Sequence, residues 1–264
     1  MDRKTWAQKT LNVSAVFWFV VTFIGQLIFV VYVFKTFYLS AAQGQWNVWN
    51  TQLTHGYVPG MMGSNLASVT HMLLAALIIL SGCVQLIPQI RNAFPKFHRW
   101  NGRVYLMVAM MMSASGLYLM WTTGTVGDWT LKVGLSLSGL LILVFGFQAY
   151  KYARAKKFLI HKRWAIRLFL VVSTVWFFRI GMMLWFFINQ GPAGMDPATF
   201  TGPFVTFLAF AQWIIPLLLA ELYFKAQSSL SGSFKAFVAA LLCIVTLLMV
   251  IGIAMATIGM WFPS

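Results

Sequence analysis

Apolar and polar positions in this chain fall into long blocks rather than short alternations. Seven apolar stretches stand out, at 13–34, 66–87, 104–121, 131–150, 166–188, 204–224 and 237–258. Crossing about 30 Å of hydrocarbon takes roughly 20 helical residues. Six stretches meet that length and the third, with 18 residues, comes close. The segments between them are mostly short and polar, and none reads as a soluble domain or as a linker between two halves. The pattern predicts an all-α, polytopic bundle of seven transmembrane helices in a single domain over 1–264.

Composition agrees. The chain is 60% hydrophobic and 9% charged, whereas a soluble domain carries about 25% charged residues. So little charge would not cover a water-facing surface, and 24 Phe with 12 Trp exclude disorder. The net charge of +15 first suggests nucleic acid, but the distribution of the bases gives another explanation. Segments 1–12, 88–103, 151–167 and 225–235 hold 3, 4, 7 and 2 Lys/Arg, 16 of the 19 in the chain. All four lie on one side if the spans alternate. The positive-inside rule then puts the N-terminus in the cytoplasm and, after seven spans, the C-terminus outside. The bases read as orientation signals and contacts to anionic inner-leaflet lipids, not as a nucleic-acid surface. The expected location is a bacterial cytoplasmic (inner) membrane.

The first apolar run exceeds the roughly 7–15 residues of a signal-peptide core and is read as a retained helix. Cys83 and Cys243 both fall inside spans without a Cys-x-x-Cys neighbour, which favours packed free thiols over a redox or zinc site. The long loop after the first span carries Trp46, Trp49 and Tyr57, suited to the headgroup region. Pro216 is placed to kink the sixth span. Gly134, Ser138 and Gly139 offer a small-residue face for close helix packing in the fourth.

Candidate chemistry rests on few residues. His98 and His161 open the third and fifth spans on the same side, in similar contexts. One runs Phe97-His98-Arg99-Trp100-Asn101-Gly102-Arg103, the other Ile160-His161-Lys162-Arg163-Trp164-Ala165-Ile166-Arg167. Two readings stand. In one, neutral imidazoles from two parallel helices ligate the iron of a haem b, with Arg99, Arg103, Arg163 and Arg167 available to its propionates. In the other, His, Trp and Arg form an interfacial collar against lipid phosphates.

At the opposite side, His71 lies about a turn and a half inside the second span. Arg179 lies nine residues, or roughly 13 Å, from the outer end of the fifth. An ionisable residue at that depth must meet a partner or a wet cavity, since leaving it bare at the helix centre costs at least ~2.5–3.5 kcal/mol. No acid of the chain shares its depth, so Arg179 is expected to point into the bundle, toward a polar cavity near His71. Glu221, near the inner end of the sixth span, reads as a structural partner for the basic collar around His161. His55, Met61, Met62 and His71 also resemble soft ligands for Cu(I), although Met is common throughout and packing explains it better. No Walker loop, dinucleotide fingerprint, nucleophile elbow or His-Glu-x-x-His motif is present.

The combination of His71 and Gln85, His98-Arg99-Trp100, Gly102-Arg103-Val104-Tyr105, His161-Lys162-Arg163-Trp164 with Arg167, Arg179 and Ala220-Glu221 resembles an uncharacterised family of predicted bacterial integral-membrane proteins, a domain of unknown function. The resemblance covers about 65–225, a core bundle to which the first and last helices are additions, and it brings no activity with it. More distantly, the layout is similar to transmembrane b-type cytochromes and ferric-reductase-like proteins, in which helices present histidine pairs to haem. That resemblance implies at most one bis-histidine haem here, through His98 and His161. His71 has no histidine partner in another span; its possible mates are His55 or Met112, Met120, Met182 and Met183.

The expected function is membrane electron transfer, with one haem b near the cytoplasmic face and a quinone or small reductant as partner. The alternatives are a non-catalytic accessory or assembly subunit docked to other membrane subunits, and a transporter or receptor for a small anion or lipid centred on Arg179 and His71. The absence of paired broken helices argues against a transporter.

Overall fold

A computed structural model describes residues 3–53 and 56–263. The chain is 84% helical. Among the described residues there is no strand, only an isolated bridge between Asp196 and Thr201. Helix α1 (Arg3–Val33) runs into a π-helical turn, Phe34–Leu39, and a short α2 (Ser40–Ala42). The one-turn α3 (Asn47–Gln52) follows, then α4 (Met62–Leu86), the short α5 (Pro88–Ala93), α6 (Pro95–Thr122) and α7 (Trp129–Arg154). Helices α8 (Phe158–Val172) and α9 (Thr174–Asn189) are separated by one residue, and α10 (Pro203–Ser228) and α11 (Gly232–Ala256) complete the bundle. A second π turn, Thr257–Trp261, follows α11.

Six helices are long and apolar enough to cross a membrane, and α8 with α9 makes a seventh if the bent pair is one span. The protein is an integral membrane protein. The expected boundaries are close, with two informative differences. The third span begins at Pro95, nine residues before its apolar part, because proline is well placed in a first helical turn. His98 and its neighbours are therefore helical rather than in a loop. The fourth begins at an N-cap, where the Asp128 side chain accepts from the Thr130 and Leu131 backbone N–H groups.

The fifth span is bent by 55° at Ser173. Hydroxyl groups explain how. Thr174 Oγ1 donates to the Val171 carbonyl at 2.5 Å, so a side chain competes with the regular backbone ladder there. Interrupted backbone at membrane depth is tolerated only where protein or water satisfies it. Here Gln26 of α1 donates from Nε2 to Ser173 Oγ at 2.8 Å, and the Cys83 thiol of α4 donates to Gln26 Oε1 at 3.0 Å. All three residues are buried. The bend lets α8 pack on α7 and α10 while α9 packs on α10 and α11.

Around this bent pair, α1 packs on α4 and α11, α4 on α6, and α6 on α7. Close approaches use the smallest residues. A Cβ at Gly134 would stand 2.6 Å from the Ala209 carbonyl oxygen of α10, and one at Gly252 2.6 Å from the Ile180 carbonyl oxygen of α9. Gly139 meets α6, where Ser113 Oγ donates to its carbonyl at 2.8 Å. Helix α10 runs without interruption through Pro216. The long loop after α2 is folded inward rather than spread on the surface. Trp49 is fully buried, and its Nε1 donates to the Phe37 carbonyl and Ser40 Oγ, while Trp46 stacks on Tyr57.

Candidate functional site

The two candidate histidines occupy the same position of their helices. Pro95 and Phe158 open α6 and α8, so His98 and His161 are each fourth. Their backbone N–H groups reach the carbonyls of the capping residues Phe94 (3.0 Å) and Lys157 (2.9 Å). The side chains differ. His161 Nδ1 lies 2.9 Å from the Ala149 carbonyl oxygen of α7. A carbonyl only accepts, so Nδ1 carries the proton and the Nε2 lone pair is left free. Such a backbone contact is how a ligating imidazole is usually oriented.

His98 Nδ1 is buried and has no hydrogen-bond partner. Its backbone carbonyl accepts from Gln85 Nε2 of α4 at 3.0 Å, which holds the start of α6 against α4. The two imidazoles, with Arg91 and Arg99, are near enough to interact electrostatically. A second orphan is next in sequence to the residue that holds His161: Gln148 Oε1, preceding Ala149, is buried and unpartnered. The sequence reading missed Gln148 and Arg91. A lone polar residue in the apolar face of α7 was the only available signal for the first.

The four arginines divide. Arg99, Arg103 and Arg163 are exposed, and among the described residues no hydrogen bond or ion pair engages them. Arg163 lies over the Phe224 ring at 5.4 Å. Arg167 is committed elsewhere. Its Nε donates to Glu221 Oε1 at 2.6 Å, and its guanidinium lies over Trp164 (4.6 Å) and Phe224 (5.2 Å). Glu221 is thus the structural partner of one collar arginine. The matching tryptophans also part company: Trp164 packs on Phe145 at 5.4 Å, whereas Trp100 is 62% exposed.

At the other end, His71 and Arg179 belong to separate groupings. His71 Nδ1 lies 3.1 Å from Ser115 Oγ of α6, and that hydroxyl donates to the Met112 carbonyl at 3.2 Å. The hydroxyl's one proton is then used, so it accepts from Nδ1–H. Arg179 donates from Nη1 to the Val175 carbonyl of its own helix at 3.2 Å and lies over the Phe29 ring of α1 at 5.4 Å, within electrostatic reach of Tyr32. Among the described residues no hydrogen bond or ring contact joins it to His71.

Of the possible methionine mates of His71, Met112 packs against the cluster of Ile78, Tyr105 and Val108, and the other three are engaged elsewhere. Met120 Sδ accepts from Ser136, Met182 is buried against Phe204 and Leu208, and Met183 packs on Gly259. His55 lies outside the described residues. Among the described residues no three His, Cys, Asp or Glu side chains form a metal cluster, and Met62 is largely exposed.

The family model for predicted membrane proteins of the DUF2306 type matches residues 68–224. The chain belongs to the DUF2306 family. The DUF2306 match starts in α4 and ends in α10, so it contains His71, His98, His161, Arg179 and Glu221 and leaves α1 and α11 outside. Comparison with curated proteins and with solved structures finds no match.

Proposed function

We propose that this protein is a membrane electron carrier that holds one haem b between His98 and His161. The observation that carries the reading is the complementary state of the two imidazoles. His161 keeps a free Nε2 because Ala149 fixes its proton on Nδ1, and His98 has a buried ring nitrogen that no protein group satisfies. A buried polar atom left without a partner costs roughly 1–3 kcal/mol, and a bound group between the helices removes that cost. Haem iron with two neutral imidazole ligands supplies one-electron chemistry.

The remaining tasks fall to the chain itself. Ala149 orients His161, Gln85 fixes the first turn of α6 through the His98 carbonyl, and Arg99, Arg103 and Arg163 are the cations free to pair with carboxylates. Arg167 serves the α8–α10 contact through Glu221 instead. The basic end faces the cytoplasm of a bacterial inner membrane, against anionic lipid, and a quinone or small soluble reductant exchanges electrons there.

Replacement tests the reading. His98→Ala and His161→Ala should each abolish the reduced-minus-oxidised visible spectrum of the purified protein, and Glu221→Gln should leave it intact. A spectrum untouched by both histidine changes, or a colourless wild type purified from haem-replete cells, decides for the lipid-facing collar.

A further inference from the structure

The end of the bundle away from the histidine pair contains a cation that the fold does not neutralise. Arg179 is half-buried; it donates to one carbonyl of its own helix and lies over the face of Phe29. Each carboxylate in the described residues is engaged elsewhere. Asp128 caps α7, Asp196 closes a turn through Ala198 and Thr199, and Glu221 holds Arg167.

A second donor meets the same ring. Trp261 packs on Phe29 at 5.2 Å between centroids and on Tyr32 at 6.3 Å. It is 4% exposed, and its Nε1 has no hydrogen-bond partner. An indole N–H can only donate, and so can a guanidinium. A donor without an acceptor, the Trp261 indole, and a cation whose one side-chain hydrogen bond goes to a carbonyl of its own helix therefore meet the same phenyl ring inside a membrane protein. The backbone around them is also irregular. The π turn Phe34–Leu39 follows α1, which carries Phe29, and Trp261 is itself the last residue of the π turn after α11; π turns concentrate at functional sites. Helix α9 closes the group from the third side, since Met183, one turn beyond Arg179, packs on Gly259 of the second π turn.

We propose that Arg179 and Trp261 form an oxyanion site that takes a phosphate group, with the guanidinium supplying charge and the indole a directional donor. The phosphate comes from an acidic lipid entering from the bilayer or from free phosphate in solution. Arg is suited to either because its planar fork matches phosphate oxygens. This site is independent of the haem reading: it lies on α1, α9 and the π turn after α11 and shares no residue with the histidine pair.

The test uses full-length protein, delipidated in a neutral maltoside detergent and followed by thermal unfolding. It is titrated with phosphatidylglycerol, with phosphatidylcholine as control, and separately with inorganic phosphate. Acidic lipid will also meet the bases at the histidine end, so the readout is the difference between wild type and variant. Arg179→Gln should weaken the stabilising ligand at least about tenfold, as expected for lost hydrogen bonds to a charged group. Trp261→Phe, which keeps the ring and loses the donor, should weaken it about threefold or more. If Arg179→Gln does not fold, Arg179→Lys and Trp261→Phe carry the comparison.

An Arg179-dependent shift with phosphatidylglycerol alone assigns the site to a lipid headgroup, and one with inorganic phosphate assigns it to a soluble anion. Equal shifts in wild type and in the variants, or no shift with either probe, overturn the proposal.

Discussion

The bend between α8 and α9 is held from outside its own helix, and Gln26 is the residue to remove. Its side chain bridges the Ser173 hydroxyl at 2.8 Å and the Cys83 thiol at 3.0 Å, and the residue is 2% exposed. Hydrogen bonds inside membrane proteins average about 0.6 kcal/mol and reach about 1.7. The thiol is a weak donor, so most of the value belongs to Ser173. Gln26→Leu keeps similar bulk, and it should cost about 1–3 kcal/mol once the orphaned hydroxyl is included. Ser173→Ala alone should cost less. In a double-mutant cycle the two should couple by about 0.6–1.7 kcal/mol. Reversible unfolding in mixed detergent micelles measures all four proteins. Thr22, one turn away on α1, is an internal control: it is fully buried, yet its Oγ1 has no partner. Thr22→Val should therefore be neutral or stabilising. Additive costs for Gln26 and Ser173, or a Thr22→Val penalty as large as that of Gln26→Leu, would refute the reasoning.

Other outcomes follow from the same geometry. Gly252→Ala places a methyl group 2.6 Å from the Ile180 carbonyl oxygen, and the overpacking should cost about 1–3 kcal/mol in the same unfolding assay. Glu221→Gln should cost no more than about 1 kcal/mol, because the Glu221 side chain of the pair is 43% exposed. The Thr130 hydroxyl and then the Leu131 backbone N–H hold the Asp128 carboxyl below its usual 3.8. The cap contributes fully above that value and fades as pH falls through the lower folded value, so Asp128→Ala should flatten the acid limb of a stability–pH profile. Reporter fusions after Ser264 should be active outside the cytoplasm, the arrangement expected from the base distribution.

The spans were legible because length and apolarity are one-dimensional properties, and so was the equivalence of His98 and His161, which repeats as a local pattern. The small residues of the fourth span were legible for the same reason, and Gly134 and Gly139 do stand at the α10 and α6 contacts. What escaped was azimuth. Depth along a helix can be counted, but the direction in which a side chain leaves it cannot. His71 and Arg179 were therefore paired by depth, while the structure turns one to Ser115 and the other to Phe29. Arg167 was grouped with the other collar bases by proximity in sequence, and only the α8–α10 packing shows that Glu221 takes it. The break at Ser173 depends on Gln26, 147 residues away, and Ser-Thr inside an apolar run is locally compatible with a continuous helix. Trp49 looked interfacial because aromatic composition does not reveal whether a loop folds inward.

The most direct test of the histidine pair is a pigment count. Protein purified from haem-replete cells, converted to its pyridine haemochrome and normalised to chain concentration, should contain one haem b per chain, through His98 and His161. A stoichiometry near zero, or a full haem that survives loss of both histidines, would contradict the account.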